Sequence, residues 1–494
     1  MADIAFEKDL SVAETGIGGL RVVDLAVHGD SRGWFKENWQ RAKMTSLGIP
    51  DLRVVQNNVS YNDSRGVTRG IHAEPWDKFI SVARGSVFGA WVDLREGSAT
   101  YGKVYTTVLD PSKAIYVPRG VGNSFQALED GTAYTYLVDA HWSLELKRTY
   151  TFVNLADPEL AIEWPIPLDQ ATVSEADLNH PMLRDVIPMA PKRTLVTGCN
   201  GQLGRAVRAL AEERGVAKDF DFCDIDTFDM SDPEAYSKYD WSLYGTVINC
   251  GAYTAVDRAE TPEGRVTAWK ANATGPALLA RTCAVHGITL VHVSSDYVFD
   301  GTVGEHGEDE PFSPLGVYGQ TKAAGDIAVA NCPKHYIVRS SWVIGDGKNF
   351  VRTMAALSDR CADLDDALTQ VTVVDDQFGR LTFTHDMAEG VFWLLGYRKG
   401  DLEPSAPCEY GTYNLSGSGE VVSWADIAVK VFELRNGNAD AVKPVSADEY
   451  YASAKGPISP RPMHSALDLS KIKLMGFMPR KWEERLSNFV TRYC

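Results

Sequence analysis

The chain has 494 residues, 44% of them hydrophobic, enough for two or three domains with real cores. Its formal net charge of −17 argues against nucleic acid or an anionic membrane surface as a partner in bulk, while leaving room for a local basic pocket that holds a phosphate. No apolar run approaches the roughly 18 residues of a membrane helix, and the first residues lack the charged-then-apolar pattern of a signal, so a cytoplasmic protein is expected.

Residues 15–170 read as all-β. The runs RVVQNNVS, FISVAR, SVFGAWVDL, KVYTTVL, AIYVP and TAYTYLVD are short, rich in β-branched and aromatic residues, and separated by turn signals. Strands so evenly spaced suggest a jelly roll or barrel. Helical character is weak until about residue 174. Residues 183–192, with two prolines and no period, read as a linker between a domain at 1–182 and another at 193–494. Beyond it strands and helices alternate: TLVTG, a helix, FDFCDID, a helix, TVINCGA, a helix, ITLVHVSSD, a helix from about 318, then HYIVRSSWV. That alternation predicts an α/β Rossmann fold, a doubly wound parallel sheet, with a small mixed C-terminal part from about 370 for substrate binding. All eight cysteines follow residue 198 and none form a C-x-x-C pair, so they read as free thiols rather than disulfides or zinc ligands.

The second half carries a dinucleotide signature. In RTLVTGCNGQLG an apolar strand ends in a turn with Gly198, Gly201 and Gly204, and a helix follows. Gly198 suits the tight turn, Gly201 the approach of a pyrophosphate, and Gly204 the packing of helix on sheet. Asn200, Gln202 and Leu203 join them as cofactor-binding residues, because amides at a helix N-terminus suit an anion. Asp224 lies 20 residues after Gly204 and Asp226 follows it. Either could hold the ribose 2′-hydroxyl and favour NAD, or be a plain turn acid. Tyr318 and Lys322, four apart on a predicted helix, share one face. Ser294 and Ser295 close the preceding strand, at the end where ligands bind in open α/β sheets. A phenol, an ammonium and a hydroxyl there form a proton relay: Lys322 lowers the phenol's pKa and holds the cofactor ribose, Tyr318 donates to a carbonyl oxygen as hydride arrives, and Ser295 orients that oxygen.

With the runs TGCNGQLG, NCGAYTAVDRAE, SSDYVFDG, PLGVYGQTK, RSSWVIG, DDQFGR and RPMHSALD in order, residues 193–470 resemble the extended short-chain dehydrogenase/reductases, and among them the dTDP-4-dehydrorhamnose reductases. The resemblance implies Ser295, Tyr318 and Lys322 as the catalytic set, Asn249 and Ala252 beside the cofactor, and Trp342 and Arg461 near a sugar nucleotide. That family uses NADH or NADPH, which stays open here. Some relatives bind Mg, but no carboxylate cluster in the sequence identifies a site.

In the first half the segment Val67–His72 stands out. Only His28, His72 and His141 occur in the first 170 residues, and with no H-x-H pair a metal site is not expected. The runs DSRGWFKE, QNNVS, GVTRGIH, VDLREGSATYG, YTYLVD and DPELAIEWP resemble the dTDP-4-dehydrorhamnose 3,5-epimerases, cupin-type jelly rolls. The resemblance implies His72 as base, Asp177 as the group that holds its imidazole, Lys78 as the enolate stabiliser and Tyr136 as acid. It further implies Arg32, Glu37, Gln56, Asn58, Arg69 and Asn123 around the nucleotide and sugar. Two departures are visible: Asn123 stands where that family usually has histidine, and the loop from His72 to Lys78 is shorter.

The expected protein is a natural fusion. It epimerises a dTDP-linked 4-keto-6-deoxy sugar, reduces the product with NAD(P)H, binds no nucleic acid or membrane, and forms a homodimer. Two alternatives remain open at this point: a reductase whose β half only binds or dimerises, and a non-catalytic regulatory member of the reductase-like group. A UDP-linked substrate is a further variant.

Overall fold

The computed structural model describes residues 4–144, 146–398 and 407–494. They form two compact units, Met1–Pro191 and Lys192–Cys494.

The first unit is a jelly-roll sandwich of two antiparallel sheets. One runs in the order Ser11–Glu14, Arg21–Asp24, Lys113–Val117, Lys78–Arg84, Thr132–Val138, Gln56–Asn62. The other runs Thr151–Phe152, Val67–Ala73, Val121–Ala127, Val87–Asp93, Val104–Leu109, with Thr172–Val173 added parallel to Val67–Thr68. Between the sheets Ile80, Val82 and Ile115 of the first pack on Trp91, Leu109 and Phe125 of the second. Each such side chain contributes roughly 1.5–3 kcal/mol by leaving water. Two central strands of the second sheet, Val67–Ala73 and Val121–Ala127, do not read as strands in the sequence. Gly122, Asn123 and Ser124 are poor strand formers, yet a Cβ at Gly122 would lie 2.7 Å from Ile71 Cγ2. Close packing, not propensity, selects the residue. A short helix, Arg41–Ser46, capped by the Gln40 side chain, also interrupts the half read as all-β. The stretch 183–192 packs largely onto this unit: Leu183, Val186 and Met189 sit against Ile71, Val92 and Leu94.

The second unit holds a six-stranded parallel sheet in the order Phe220–Cys223, Arg193–Thr197, Tyr244–Asn249, Thr289–Ser295, His335–Ser340, Gly411–Asn414. The order reverses at Arg193–Thr197, which opens a crevice at the carboxyl ends beside Tyr244–Asn249. The glycine turn leads into the helix Gln202–Glu213. One expected helix is absent: after Phe220–Cys223 the chain makes two 3₁₀ turns, Pro233–Lys238 and Trp241–Leu243. Asp232 and Asp240 cap them, and Phe228 packs edge-on against Tyr236, Tyr239 and Trp241. Aromatic packing replaces a helix face there. The C-terminal part has its own core, in which Val351, Met354, Leu381, Phe432 and Trp482 are buried. Its helices are Phe350–Ala362, Trp424–Asn436 and Trp482–Tyr493. Among the described residues, no helix is long and apolar enough to cross a membrane.

Candidate active sites

A cavity of about 450 Å³ opens in the first unit, lined by Arg69, His72, Glu74, Lys78, Asn123 and Tyr136 among others. Adjacent strands supply it: Val67–Ala73 carries His72, and Val121–Ala127 carries Asn123 directly opposite in register. His72 Nε2 lies 2.8 Å from Asp177 Oδ1. A carboxylate there fixes the proton on Nε2 and leaves the lone pair on Nδ1. Asp177 sits on the short helix Glu175–Leu178, whose N-cap is Ser174. Its Oδ2 accepts from the Gly70 amide at 3.4 Å. Burial works to raise this carboxyl, but hydrogen bonds from His180 and His72 outweigh it and hold Asp177 well below the usual range. Burial pushes His72 down by more than Asp177 lifts it, so the imidazole is neutral at neutral pH.

Lys78 is buried at 4% exposure, in contact with the Glu74 carboxylate. Burial pushes its ammonium down to about 7. Its Nζ lies 5.7 Å from the centre of the Tyr136 ring. Burial raises the Tyr136 phenol. Asn123 Oδ1 accepts from the Tyr134 hydroxyl at 2.9 Å. Gln56 Nε2 donates to Asn58 Oδ1 at 2.8 Å on the strand that faces Tyr136, beyond the cavity wall. Arg32 and Glu37 are not brought to this cavity. Arg32 pairs with Asp30 at the exposed tip of the hairpin Val27–Lys36, and Glu37 pairs with Lys43 at 2.9 Å.

In the second unit a cleft of about 340 Å³ is lined by Gly198, Gly201, Asp224, Met230, Cys250, Gly251, Ala252 and Lys270 among others. Gly198 has φ +66°, and a Cβ on it would lie 2.5 Å from the Gly251 backbone. Gly204 would place a Cβ 2.4 Å from Gly198 O. Of the two acids, Asp224 lines the cleft. Its Oδ2 accepts from the Asn200 amide at 2.8 Å, whereas Asp226 is exposed and outside the cleft. Leu203 is a core residue, so only its backbone can serve an anion, and Gln202 lines a separate cleft with Arg205. Asn249 is buried and braces the floor, accepting from Thr197 Oγ1 at 2.8 Å and the Gly251 amide at 3.1 Å.

Tyr318 and Lys322 lie one turn apart on the buried face of the helix Val317–Val329. Ser295 is within hydrogen-bond reach of the Tyr318 phenol. Ser294 points to the other face of the strand, as alternation requires, and none of Ser294, Ser295, Tyr318 and Lys322 lines the 340 Å³ cleft. Lys322 Nζ donates to Val293 O at 2.6 Å. Burial pushes Lys322 down to about 8 against the pull of Asp326. The expectation that Lys322 lowers the phenol is not met: burial, then the Asp296 charge, push Tyr318 up to about 12. It therefore stays protonated across the physiological range.

Tyr297 meets Tyr318 edge-on at 5.3 Å and leads to a cavity of about 280 Å³ in the C-terminal part. Trp342 and Arg461 both line it, with Trp424 and Tyr451. Trp342 stacks on Trp424 at 3.8 Å and is held at φ +46°, a conformation rare outside glycine. Arg461 donates to Asp257 Oδ2 at 2.9 Å and lies over the Tyr451 ring at 4.9 Å.

Known proteins divide along the same line. The family model described as RmlD substrate binding domain matches residues 192–494, and the model described as dTDP-4-dehydrorhamnose 3,5-epimerase matches residues 14–185. A protein named RmlC homolog from Streptococcus pyogenes serotype M6 is 54% identical over 198 residues, 39% of this chain and 99% of its own length. The dTDP-4-dehydrorhamnose reductase of Aggregatibacter actinomycetemcomitans is 35% identical over 309 residues, 60% of this chain and 97% of its own. The chain belongs to the dTDP-4-dehydrorhamnose 3,5-epimerase family in its first unit and the RmlD reductase family in its second. The crystal structure of the Bacillus anthracis reductase in complex with NADP superposes with a TM-score of 0.51 at 30% identity, covering 61% of this chain and 99% of that one.

In the epimerase unit the sequence reading missed His180, which lies 3.2 Å from the same Asp177 oxygen as His72. In the reductase unit it missed Trp424, Tyr451 and Tyr297, and also Asn272. Asn272 sits in a π-helical turn, Lys270–Thr274, and binds both backbone groups of Tyr253 and the Thr321 hydroxyl. A π turn marks an inserted functional residue more often than a plain helix does, but nothing in its sequence announces it. Among the described residues two clusters of three candidate ligands occur. His72, Asp177 and His180 offer two imidazoles and one carboxylate, a nitrogen-rich set that does not suit magnesium; His385, Asp386 and Glu389 form the other, and Arg480 and Arg485 already pair with its acids.

Proposed function

We propose that the epimerase unit inverts C3 and C5 of dTDP-4-dehydro-6-deoxy-D-glucose, and that the reductase unit then reduces the C4 ketone to give dTDP-L-rhamnose. The observation that carries this is one chain holding two acid–base sets, one lining the cavity of the first unit and one on the buried face of the helix Val317–Val329 in the second. His72 Nδ1 takes the proton beside the ketone. Lys78 donates to the enolate oxygen, and Tyr136 returns a proton from the other ring face. In the reductase unit Gly198, Gly201, Ala252 and Asp224 would hold a nicotinamide dinucleotide, which when bound supplies the hydride. Tyr318 gives its proton to the C4 oxygen, Ser295 orients that oxygen, and Lys322 binds the ribose. Trp342, Trp424 and Arg461 suit an aromatic base and a diphosphate. Incubation with the 4-keto-6-deoxyglucose nucleotide, with and without reduced cofactor, tests the whole reading by product NMR. Absence of dTDP-L-rhamnose with cofactor present overturns it.

NADH is the preferred cofactor in this reading. Asp224 is held in the cleft by the Asn200 amide, its carboxylate repels a 2′-phosphate, and among the described residues Lys270 is the cation that lines the cleft. Asp224→Ser shifts the NADPH/NADH ratio of kcat/KM upward by about tenfold, or ~1.4 kcal/mol; an unchanged ratio removes Asp224 as the discriminator. The edge strand Gln56–Asn62, with Val59 and Tyr61 exposed, supports a homodimer through the epimerase unit, measurable by sedimentation.

A further inference from the structure

The Asp177 carboxylate holds more than His72 requires. Its Oδ1 is shared by two imidazoles, His72 at 2.8 Å and His180 at 3.2 Å, and its Oδ2 takes the Gly70 amide. His180 follows Asp177 by three residues, just beyond the end of the helix Glu175–Leu178. Its ring stacks on Phe152 at 4.6 Å and 20°, and Phe152 in turn pairs with His72 in strand register and meets its ring edge-on at 5.4 Å. The backbone at His180 is clamped. Asn154 Nδ2 donates to His180 O at 3.0 Å, and the Asn154 amide donates to Pro181 O at 2.9 Å. A solvated surface histidine needs none of this.

We propose that His180 is a positioning residue of the epimerase: its N–H to Asp177 Oδ1 locks the carboxylate in the rotamer that keeps His72 Nδ1 facing the cavity. Without it the carboxylate is held only by His72 on Oδ1 and the long 3.4 Å bond from the Gly70 amide on Oδ2, about a terminal torsion that is soft. The imidazole then loses its fixed aim at the substrate proton. A second effect follows from charge. Around His72 the charged and titratable groups are Asp177, His180, Lys78 with its Glu74, Arg69 and Tyr136. Lys78 and His180 both oppose protonation of His72. Removing His180 leaves Asp177 to lift the base unopposed on that side, so His72 takes up its proton at a higher pH.

The inference rests on His72 being the base, and the experiment separates the two. Deuterium incorporation at C3 and C5 is followed in D₂O without cofactor, for the full chain and for His180→Phe and His180→Gln. The phenylalanine keeps the stack on Phe152 and removes the N–H; the glutamine returns an N–H at the reach of Nε2. His180→Phe lowers kcat for exchange by about tenfold at unchanged KM and moves the acid limb of the pH profile upward. His180→Gln recovers most of the rate. Thermal melting of each variant reports whether the unit is folded. A folded His180→Phe with wild-type kcat and wild-type acid limb overturns the proposal, as does a folded His180→Gln no faster than the phenylalanine variant. No exchange in the unaltered protein overturns instead the epimerase reading beneath it.

Discussion

Replacing Tyr318 with phenylalanine lowers kcat for reduction of the 4-keto sugar by about 10²–10⁴-fold, the contribution of a positioned general acid. The reason lies in where the proton sits. The phenol is pushed up to about 12, so it is protonated at any working pH and, within reach of Ser295, is ready to donate as the C4 oxygen gains charge. Phenylalanine keeps the ring packing against Tyr297 and removes only the hydroxyl. Cofactor binding, followed by fluorescence titration, stays within a factor of a few. Exchange at C3 and C5 continues, so the variant accumulates the epimerised ketone. Retention of more than about a tenth of the reductase rate means the proton comes from elsewhere.

Replacing His72 with alanine gives the mirror result. Exchange at both carbons falls by about 10²–10⁴-fold, and the variant no longer consumes reduced cofactor with the unepimerised substrate. Supplied with the epimerised ketone, it reduces it at the wild-type rate. Because burial keeps His72 neutral more strongly than Asp177 charges it, the wild-type exchange rate falls toward acid only below neutrality, and it falls again on the alkaline side as Lys78, pushed down to about 7, loses its proton. Partial exchange at one carbon only, in the alanine variant, would assign that proton to another base.

What the sequence made legible were features that a short stretch can encode. Tyr318 and Lys322 are four apart on a helix, the three glycines define a turn, and the alternation of strands with helices declares a parallel sheet. His72 stood out because its neighbours GVTRGIH resemble a family. His180 did not, because its meaning depends on Asp177 and Phe152, which only the folded sheet brings to it. The choice between Asp224 and Asp226 turned on one amide, that of Asn200, and one residue of phase at a strand end is below what periodicity resolves. Trp424 joins the cavity lined by Trp342 and Arg461 by stacking on Trp342. The aromatic 3₁₀ crossover at 233–243 was read as a helix because a connection between parallel strands usually is one. Asp232, Pro233 and Asp240 instead favour capped turns. Arg32 and Glu37 lie away from the epimerase cavity in exposed local pairs with Asp30 and Lys43, a placement that no motif in the sequence encodes.

The contact of Gly198 with Gly251 bears on how this cleft can evolve. Most walls in a protein are made of side chains, and an added methyl is absorbed when a neighbour changes rotamer. Here two peptide backbones face each other with no side chain between them, at a separation that leaves no space for one on Gly198. The width of the dinucleotide cleft is thus written in chain geometry. Variation that tunes cofactor choice is channelled to the rim, where Asp224 and Lys270 stand, while the floor is closed to gradual change.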